Sequence, residues 1–271
     1  MKVLGIGDNV VDKYVHLKIM YPGGNAVNFS VFAKKLGAEA AFIGTFGDDP
    51  EAQHVEKVLQ ELHIEISRCR HFSGENGCAR VTLENGDRVF LGSNEGGVTR
   101  LNPLKLTEGD KAYIREFAVM HTGLYSHTGH ILHELRSLGV PISFDFSDDF
   151  EEDQVNQYVQ YADYAFFSCS HMSHEDTLTY IKSKWSREDQ LIIATRGSEP
   201  AIVYDGVRFY FQEPEVVEAV DTMGAGDSFI AAFLLKYLAE GDIQASMLEA
   251  SRFAAQSCLV EGSFGYGVPY N

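Results

Sequence analysis

Apolar and polar positions in the N-terminal part of the chain alternate between two patterns. Lys2–Gly7 is a short, mostly apolar run that predicts a buried strand, and Ala40–Thr45 predicts a second one. Apolar residues recur at helical spacing over Asn25–Leu36 and again over Pro50–Leu62. This strand-helix-strand-helix order is typical of a parallel sheet that is covered by helices.

The same alternation resumes after a different middle section. The predicted strands there are Ala118–His121, Pro141–Phe146, Tyr164–Ser168, Leu191–Thr195 and Ala201–Tyr204. The predicted helices are Thr128–Leu138, Glu175–Lys184, Ala225–Leu238 and Gln244–Leu259. Because the chain contains neither a low-complexity linker nor an internal repeat, residues 1–271 are predicted to form one continuous α/β domain.

Two extended insertions interrupt this order, near residues 12–21 and 76–100. In the second, the β-like runs Cys78–Leu83 and Arg88–Leu91 flank an Asn-Gly pair at 85–86, which is typical of a hairpin turn. Together the insertions predict a small accessory sheet that acts as a lid over a site. An exposed edge of such a sheet also favours pairing between two subunits, and a homodimer through the lid is expected.

Charge and composition narrow the functional classes. Lys and Arg number 22 against 39 Asp and Glu, which gives a net charge of −17. This acidic excess argues against a nucleic-acid partner and against docking on anionic membranes. No apolar run approaches the roughly 20 residues of a membrane span, and the first residues do not resemble a signal peptide. The four cysteines lack close pairing, so reduced thiols and a cytoplasmic location are expected.

The segment Asp221–Ser228 carries the strongest chemical signal. Gly224, Ala225 and Gly226 allow a tight turn that aims backbone N–H groups at one point, directly before an apolar helix. The positive end of that helix favours anionic oxygens. Asp227 would then lie beside a bound phosphate and could take a proton from an attacking hydroxyl. The alternative for this short motif alone is a glycine-rich turn with an aspartate that only caps a helix.

Two segments extend this signal to a known family. Asp221-Thr222-Met223-Gly224-Ala225-Gly226-Asp227 resembles the C-terminal signature of the ribokinase-like (PfkB) carbohydrate kinases. Gly23-Gly24-Asn25-Ala26-Val27-Asn28 resembles the N-terminal signature of that family, and Gly7–Asp12 matches as well. The resemblance covers essentially the whole chain. It implies an ATP-dependent sugar kinase with a three-layer α/β/α sandwich, a mostly parallel sheet and a small β lid.

The resemblance also assigns roles to particular residues. It implies that Asp227 is the catalytic base and that Gly224, Ala225 and Gly226 hold the transferring phosphoryl group. The residues expected to contact the sugar are Asp8, Asp12, Gly23, Gly24 and Asn28. The residues expected to contact ATP are Thr195, Gly197, Thr222, Gly224 and Gly226. Carboxylates, amides and closely approached glycines suit a polyol, although each residue taken singly could equally be structural.

Other positions depart from the family pattern. Thr195-Arg196-Gly197 resembles the family's nucleotide loop, but Pro200 stands where a glycine is usual. The family's Asn-x-x-Glu motif for magnesium is missing after the strand Tyr164–Ser168, and Glu175 is the candidate to act on Mg²⁺ through water. Asp221 is the candidate ligand for a monovalent cation such as K⁺, which many relatives bind.

The expected substrate follows from a finer similarity, to the fructoselysine 6-kinase group. The stretch Phe144-Asp145-Phe146-Ser147-Asp148 stands where other sugar kinases more often carry Asp-x-Asn-x-Arg. An arginine suits anionic substrates, whereas Asp148 and Asp149 suit a cation. The 6-hydroxyl of fructoselysine or a related sugar-amine is therefore the expected acceptor, with Asp148 and the lid residue Glu95 near the amine. The alternative for the two aspartates is a solvated loop.

Several other functions stay open on the sequence. Within the family, a fructose, ketose or nucleoside kinase is the alternative, and outside catalysis a sugar-binding regulatory protein. Gly5-x-Gly7 resembles part of a dinucleotide fingerprint, but its third glycine is missing, which disfavours a nicotinamide-dependent oxidoreductase. His127, His130 and His133 recur every three residues and so do not share one helix face. They are predicted to make local contacts and not to bind a metal.

Overall fold

A computed structural model describes residues 1–84 and 87–270 of the chain. The strands are β1 (Lys2–Gly7), β2 (Val10–Tyr14), β3 (Ile19–Gly23), β4 (Glu39–Phe46), β5 (Arg70–His71), β6 (Gly77–Glu84), β7 (Asp87–Ser93), β8 (Val119–Gly123), β9 (Ile142–Asp145), β10 (Tyr164–Ser168), β11 (Leu191–Arg196), β12 (Glu199–Tyr204), β13 (Phe209–Gln212) and β14 (Val268–Pro269). The helices are α1 (Asn25–Lys35), α2 (Pro50–Glu61), α3 (Val98–Leu101), α4 (Glu108–Ile114), α5 (Leu132–Arg136), α6 (Glu152–Tyr158), α7 (His174–Lys184), α8 (Ala225–Glu240) and α9 (Ile243–Ser257).

The main sheet contains nine strands in the order β13-β12-β11-β10-β9-β8-β1-β4-β5. The strands from β11 through β5 pair in parallel, whereas β12 and β13 add antiparallel at one edge. The carboxyl ends of the parallel strands therefore meet at one edge of the sheet, which is where open α/β sheets bind ligands.

Helices cover both faces of this sheet. In β1, Val3 belongs to a hydrophobic cluster with α1, α2, α8 and α9, whereas its neighbours Leu4 and Ile6 belong to a second cluster with α4, α5, α6 and α7. This division follows from the period of two along a strand, which sends successive side chains to opposite faces. The predicted α/β/α sandwich with a mostly parallel sheet is confirmed.

A second, small sheet contains five strands in the order β14-β3-β2-β6-β7. It arises from the two predicted insertions, near residues 12–21 and 76–100, and from β14 at the end of the chain, which the sequence pattern did not indicate. The insertion near 12–21 is two strands joined by a turn, with Tyr14 opposite Ile19 in the antiparallel register. The hairpin turn predicted at 85–86 lies outside the described residues.

The predicted elements differ from the structure at a few places. The helix expected over Thr128–Leu138 is divided into a short 3₁₀ turn, Gly129–Ile131, and the helix α5. Gly129 packs so closely on the Tyr158 ring that a Cβ would overlap it, and a 3₁₀ turn is a common start of an α-helix. Strand β13 was not predicted. Within residues 1–84 and 87–270, no helix has the length and apolar character to cross a membrane.

Close packing of α1 on the first strand places the site's N-terminal half. A Cβ on Gly5 of β1 would overlap the Ala26 carbonyl oxygen and the Ser30 hydroxyl. That hydroxyl donates hydrogen bonds to the carbonyl oxygens of Ala26 at 2.9 Å and Ala41 at 3.1 Å. Because the atoms that a methyl group would meet are backbone or hydrogen-bonded, they cannot move aside without cost.

We predict that Gly5→Ala lowers the free energy of unfolding by about 1–3 kcal/mol, the usual cost of overpacking a core. Urea denaturation followed by circular dichroism measures the change. The matched control is Gly109→Ala on the exposed first turn of α4, where the nearest atom is a flexible end of Arg68. That variant should be neutral or slightly stabilising, and equal losses in both variants would contradict the packing argument.

Candidate active site

The site lies at the carboxyl edge of the main sheet. Asp8 follows β1, Asp145 ends β9, Ser168 ends β10, and Thr195 lies near the end of β11. The N-terminal turn of α1 begins at the same edge because Asp8 caps it. The Asn25 and Ala26 N–H groups donate to the carboxylate of Asp8, at 2.8 and 3.3 Å. The structure thus places a helix N-terminus beside the strand ends.

Asp8 is held in this position from a second direction. The Ser126 hydroxyl donates to its Oδ1 at 2.7 Å, and the carboxylate is buried. Gly24, with φ at +104°, leaves the space that Asp8 fills, since a Cβ there would come within 2.8 Å of its Oδ2. Asp8 and Gly24 are therefore structural partners at the start of α1, in addition to the sugar contact predicted for them.

Gly23 and Asp12 form a second close pair at this point. A Cβ on Gly23 would overlap the Asp12 carboxylate, which is buried on strand β2 of the small sheet. The absence of a side chain at Gly23 brings the Asp12 carboxylate next to the backbone that leads into α1. The small sheet thereby contributes an acidic group to the space beside Asp8 and the first turn of α1, which we call the pocket.

Asn28 connects α1 to the N-terminus of α8. Its Nδ2 donates a hydrogen bond of 2.7 Å to Oδ2 of Asp227, and both side chains are buried. The Oδ1 atom of Asn28 is buried without a hydrogen-bond partner. Burying an amide oxygen costs free energy of folding unless the oxygen accepts a hydrogen bond. A substrate hydroxyl can donate such a bond. Asn28 and Asp227, predicted from separate motifs, are in direct contact.

The N-terminus of α8 has the geometry of an anion site. Gly224 is the N-cap in the left-handed region, with φ at +74°, and the Ala225 N–H donates to the Thr222 carbonyl oxygen at 3.2 Å. The Ser228 N–H donates to the Gly224 carbonyl oxygen. The N–H group of Gly226 lies in the first turn, where a helix supplies no acceptor four residues earlier. It is available to an anion.

Gly226 and Gly224 differ in what surrounds them. A Cβ on Gly226 would meet no atom within 4 Å, and its backbone is helical. The space beside Gly226 is thus open to a ligand that approaches the backbone closely. A Cβ on Gly224 would instead overlap the Ser263 hydroxyl from the C-terminal segment. Gly224 is required by the fold, whereas nothing in the described protein requires a glycine at 226.

Asp221 holds the base of this loop. Its Oδ1 accepts from the Met223 N–H at 2.9 Å, and its Oδ2 accepts from the Tyr14 hydroxyl at 2.5 Å and the Gly262 N–H at 2.8 Å. The side chain is fully buried. A monovalent cation bound by Asp221 stays a prediction. The arrangement of Asp221 does not support it, because both carboxylate oxygens already accept hydrogen bonds from protein donors.

A further carboxylate, Asp145, faces the first turn of α1. Its Oδ2 accepts from the Asn25 side-chain amide at 2.5 Å and its Oδ1 from the Ser147 N–H at 2.8 Å. Burial, together with the nearby charges of Asp8 and Asp148, raises the pKa of Asp145 to about 6. The pocket is therefore a region where negative charge accumulates and a cation is favoured.

The predicted amine contacts lie at the rim of this pocket. Asp148 is exposed and accepts a 3.1 Å hydrogen bond from the Ser147 hydroxyl. The Tyr125 phenol lies beside the same acidic loop. Burial and the nearby charge of Asp148 therefore raise the pKa of Tyr125. Glu95 is exposed and paired with Arg100. The next residue, Gly96, packs near the side chain of His127. His127 ends the short 3₁₀ turn that follows β8.

The predicted nucleotide residues lie farther along the same edge. The Thr195 hydroxyl lies 3.4 Å from that of Ser168 at the end of β10. Gly197, with φ at +63°, is in the two-residue turn that joins β11 to β12, and Arg196 pairs with Glu199 across it. Pro200 therefore belongs to strand β12 and not to the turn. The turn is exposed at Gly197, as an ATP contact requires.

Among the predicted metal and histidine positions, His127 lies near Asp8, whose charge opposes the burial that lowers the pKa of His127. Glu175 is exposed in the first turn of α7, the helix that follows β10. His130 Nε2 lies 2.8 Å from the Leu104 carbonyl oxygen, and His133 packs edge-on against Tyr161. In the described part of the chain, no three His, Cys, Asp or Glu side chains are grouped to hold a metal ion.

Three residues of this arrangement were not singled out from the sequence: Asn25, Asp145 and Tyr14. Asn25 and Asp145 lie within the segments Gly23–Asn28 and Phe144–Asp148, which resemble family sequences. Their contact joins segments 120 residues apart in the chain. Tyr14 follows Asp12 by two positions on β2. The period of two along a strand, which puts both side chains on one face, was the available signal.

Similarity to known protein families defines the class of this protein. The sequence profile of the pfkB family of carbohydrate kinases matches residues 8–265. The chain belongs to this family and is a carbohydrate kinase, a phosphotransferase whose members in general use ATP and Mg²⁺.

Individual relatives are similar over nearly their whole length. The chain is 41% identical to fructosamine kinase FrlD of Bacillus subtilis (strain 168), over 100% of this chain and 95% of that protein. It is 32% identical to fructoselysine 6-kinase of Escherichia coli (strain K12), over 97% and 100%. The fold is similar to a putative ribokinase II from E. coli in complex with ATP and Mg²⁺, with a TM-score of 0.78, 19% identity and coverage of 97% and 94%.

We predict opposite consequences for two glycines of the anion site. Gly226→Ala should keep the melting temperature or raise it slightly, since it removes unfolded-state freedom without a clash. It should lower kcat/KM for ATP by about 10- to 100-fold, because a methyl group displaces the phosphates from the backbone. Differential scanning fluorimetry and coupled ADP-release kinetics measure the two effects.

Gly224→Ala is the comparison for that prediction. It should lower the stability by about 1–2 kcal/mol for the left-handed backbone alone, in addition to the overlap with Ser263. A Gly226→Ala enzyme with normal kinetics would show that no ligand occupies the space beside residue 226.

Proposed function

We propose that this protein transfers the γ-phosphoryl group of ATP to the 6-hydroxyl of fructoselysine or a related Amadori sugar-amine. The observation that carries the proposal is the contact between Asn28 and Asp227 beside the open N-terminal turn of α8. A carboxylate, an amide oxygen without a hydrogen-bond partner and the N-terminus of a helix are thus close together, which supports a site for a hydroxyl and a phosphate. The high similarity to a fructosamine kinase and a fructoselysine 6-kinase supports the substrate class.

In this proposal Asp227 is the general base. Asn28 orients the carboxylate through Nδ2, and its unpartnered Oδ1 accepts a hydrogen bond from a sugar hydroxyl other than the reacting one. As the sugar oxygen bonds to the γ-phosphorus, its proton passes to Asp227 and the bond from phosphorus to the β-phosphate bridging oxygen breaks, which releases ADP. The first-turn N–H groups of α8 stabilise the charge on the transferring oxygens.

Magnesium fits this site only together with the nucleotide. Mg²⁺ usually keeps several waters and takes one or two carboxylates plus phosphate oxygens. The described residues provide exposed single carboxylates such as Glu175 and no three-ligand cage, which agrees with an ion carried by the ATP phosphates. The ion would neutralise phosphate charge, and Glu175 would hold it through water.

The acidic rim supports a cationic acceptor. Asp145 is buried with the first turn of α1, and Asp148 is exposed beside it on the same loop. An ammonium group of the lysine part would gain attraction from these carboxylates, whereas a neutral hexose would not. Asp148, in the loop after β9, and Glu95, in the turn after β7, are our candidates for direct contact with the amine.

We further propose that the small sheet closes over the sugar as a lid and pairs two subunits. Its strand β2 brings Asp12 to the sugar pocket, so its position affects substrate access. Its edge strand β7 exposes Phe90 and Leu91, with 57% and 50% of their surfaces accessible. Large apolar side chains on the edge strand of a sheet favour association with a second copy.

We predict that Asp227→Asn lowers kcat by about 100- to 10,000-fold, the usual contribution of a general base. Sugar binding should change little, because an asparagine retains the size and an oxygen that can accept from Asn28. ADP release gives kcat, and isothermal titration gives the sugar Kd.

Asp242→Asn is the matched control, since it makes the same change at the N-terminus of another helix, where Asp242 is the N-cap of α9 outside the site. It should keep wild-type turnover. Near-normal kcat in Asp227→Asn would exclude Asp227 as the base.

A substrate panel tests the proposed acceptor. We predict that kcat/KM for fructoselysine exceeds that for fructose, ribose and a nucleoside. Asp148→Asn should lower kcat/KM for fructoselysine by about 2- to 5-fold, the size of an exposed ion pair, and leave the value for fructose unchanged. The effect should decrease at high salt.

Asp153→Asn is the control for surface charge, because Asp153 is exposed in the first turn of the neighbouring helix α6. It should not discriminate between the two sugars. Far higher kcat/KM for fructose or a nucleoside would overturn the proposed substrate and favour a fructose, ketose or nucleoside kinase.

A further inference from the structure

The carboxylate of Asp221 joins three segments that are far apart in the sequence. It accepts hydrogen bonds from the Tyr14 hydroxyl in the small sheet, the Met223 N–H in the phosphate loop and the Gly262 N–H in the C-terminal segment. All three distances lie between 2.5 and 2.9 Å, and both Asp221 and Tyr14 are fully buried. Two donors are backbone groups, so Tyr14 is the one side chain that completes this set.

Two of the three segments also enclose Gly224. Met223 precedes it in the chain, and Ser263, which follows Gly262, packs its hydroxyl where a Cβ of Gly224 would stand. Ser263 has a left-handed backbone, with φ at +65°. Asp221 therefore determines the positions of the chain on both sides of the N-cap of α8. A shift of Asp221 would move the first-turn N–H groups and Asp227.

Tyr14 gives this arrangement a connection to the sugar pocket. It stands two residues after Asp12 on β2, and successive side chains on a strand alternate between faces, so both lie on the same face. Its ring packs edge-on against Tyr21 at 5.0 Å between centroids. Burial and the hydrogen bond to Asp221 raise the pKa of Tyr14, so its phenol stays protonated and continues to donate.

We propose that Tyr14 is a positioning residue for phosphoryl transfer, which fixes the phosphate loop relative to the strand that carries Asp12 through its hydrogen bond to Asp221. The inference rests on the proposed role of Gly224–Asp227 in holding the phosphoryl group, and not on the identity of the sugar. The hydroxyl has no contact with substrate in this role. Its loss alters the geometry of transfer and not the affinity of the pocket.

The test compares Tyr14→Phe with Tyr21→Phe. Tyr21 lies on the adjacent strand of the small sheet, and its hydroxyl also donates to a carboxylate, that of Glu261, at 2.7 Å. The substitution is identical, but Glu261 does not hold the phosphate loop through a described hydrogen bond. Both variants are assayed on the sugar with the highest kcat/KM, together with their melting temperatures.

We expect Tyr14→Phe to lower kcat by about 10- to 100-fold, with KM for the sugar within about 3-fold of wild type, since a misplacement of the reacting groups affects turnover. Tyr21→Phe should keep kcat within about 2-fold. Equal kcat values for the two variants, or a loss in Tyr14→Phe that appears only in KM, would overturn the inference.

Asp221→Asn provides a second approach should Tyr14→Phe fold poorly. It weakens the same set of hydrogen bonds from the acceptor side and should lower kcat to a similar extent. Adding Tyr14→Phe in that background should cause little further loss, whereas fully multiplicative losses would contradict a shared action. The variants are compared on the sugar that gives the highest kcat/KM, whichever sugar that is. If fructoselysine is not a substrate, the proposed acceptor is rejected, but the role of Tyr14 is still tested.

Discussion

The hydrogen bond between Asn28 and Asp227 is the contact on which the site depends. It joins the first turns of α1 and α8, which come from opposite ends of the chain and pack against each other under the main sheet. Two helix N-termini, each with a positive potential, thus face one pocket. The first N–H groups of α1 donate to the protein's own Asp8, whereas the space beside Gly226 in α8 is open. This difference is the basis for the proposed division of the pocket into a sugar side at α1 and a phosphate side at α8.

Charge is distributed in agreement with that division. A chain with a net charge of −17 that binds ATP cannot use a basic surface as its main attraction. In the proposed function, the N-terminus of α8 and a phosphate-bound Mg²⁺ would receive the negative charge locally. Around α1 the protein instead concentrates carboxylates, of which Asp145 is buried deeply enough to have a pKa of about 6. An anionic loop of this kind suits a sugar that carries an amine, and the same buried acids would repel a phosphorylated or carboxylated sugar.

Sequence patterns predicted most of the fold because the elements are strongly periodic. Lys2–Gly7 and Tyr164–Ser168 have the bounds expected from their apolar runs. Elements that depend on distant partners were missed. Strand β14 is two residues long and forms only because β3 offers it an edge, and the helix expected over Thr128–Leu138 shortens because its start packs on Tyr158. The glycine-rich motifs predicted the candidate site residues, since tight turns and close backbone approach favour glycine at particular positions.

The sequence by itself determined the class of the protein, most of its order of strands and helices, and the two motifs around Gly24 and Gly226. These are local properties that depend on spacing and on residue type. Only the tertiary structure decided which polar groups meet: Asn25 with Asp145, Asn28 with Asp227, and Tyr14 with Asp221. Such pairs span more than 100 residues of chain, and their side chains have common types that no short pattern distinguishes. Their geometry arises from packing, which fixes distances that a linear sequence does not contain.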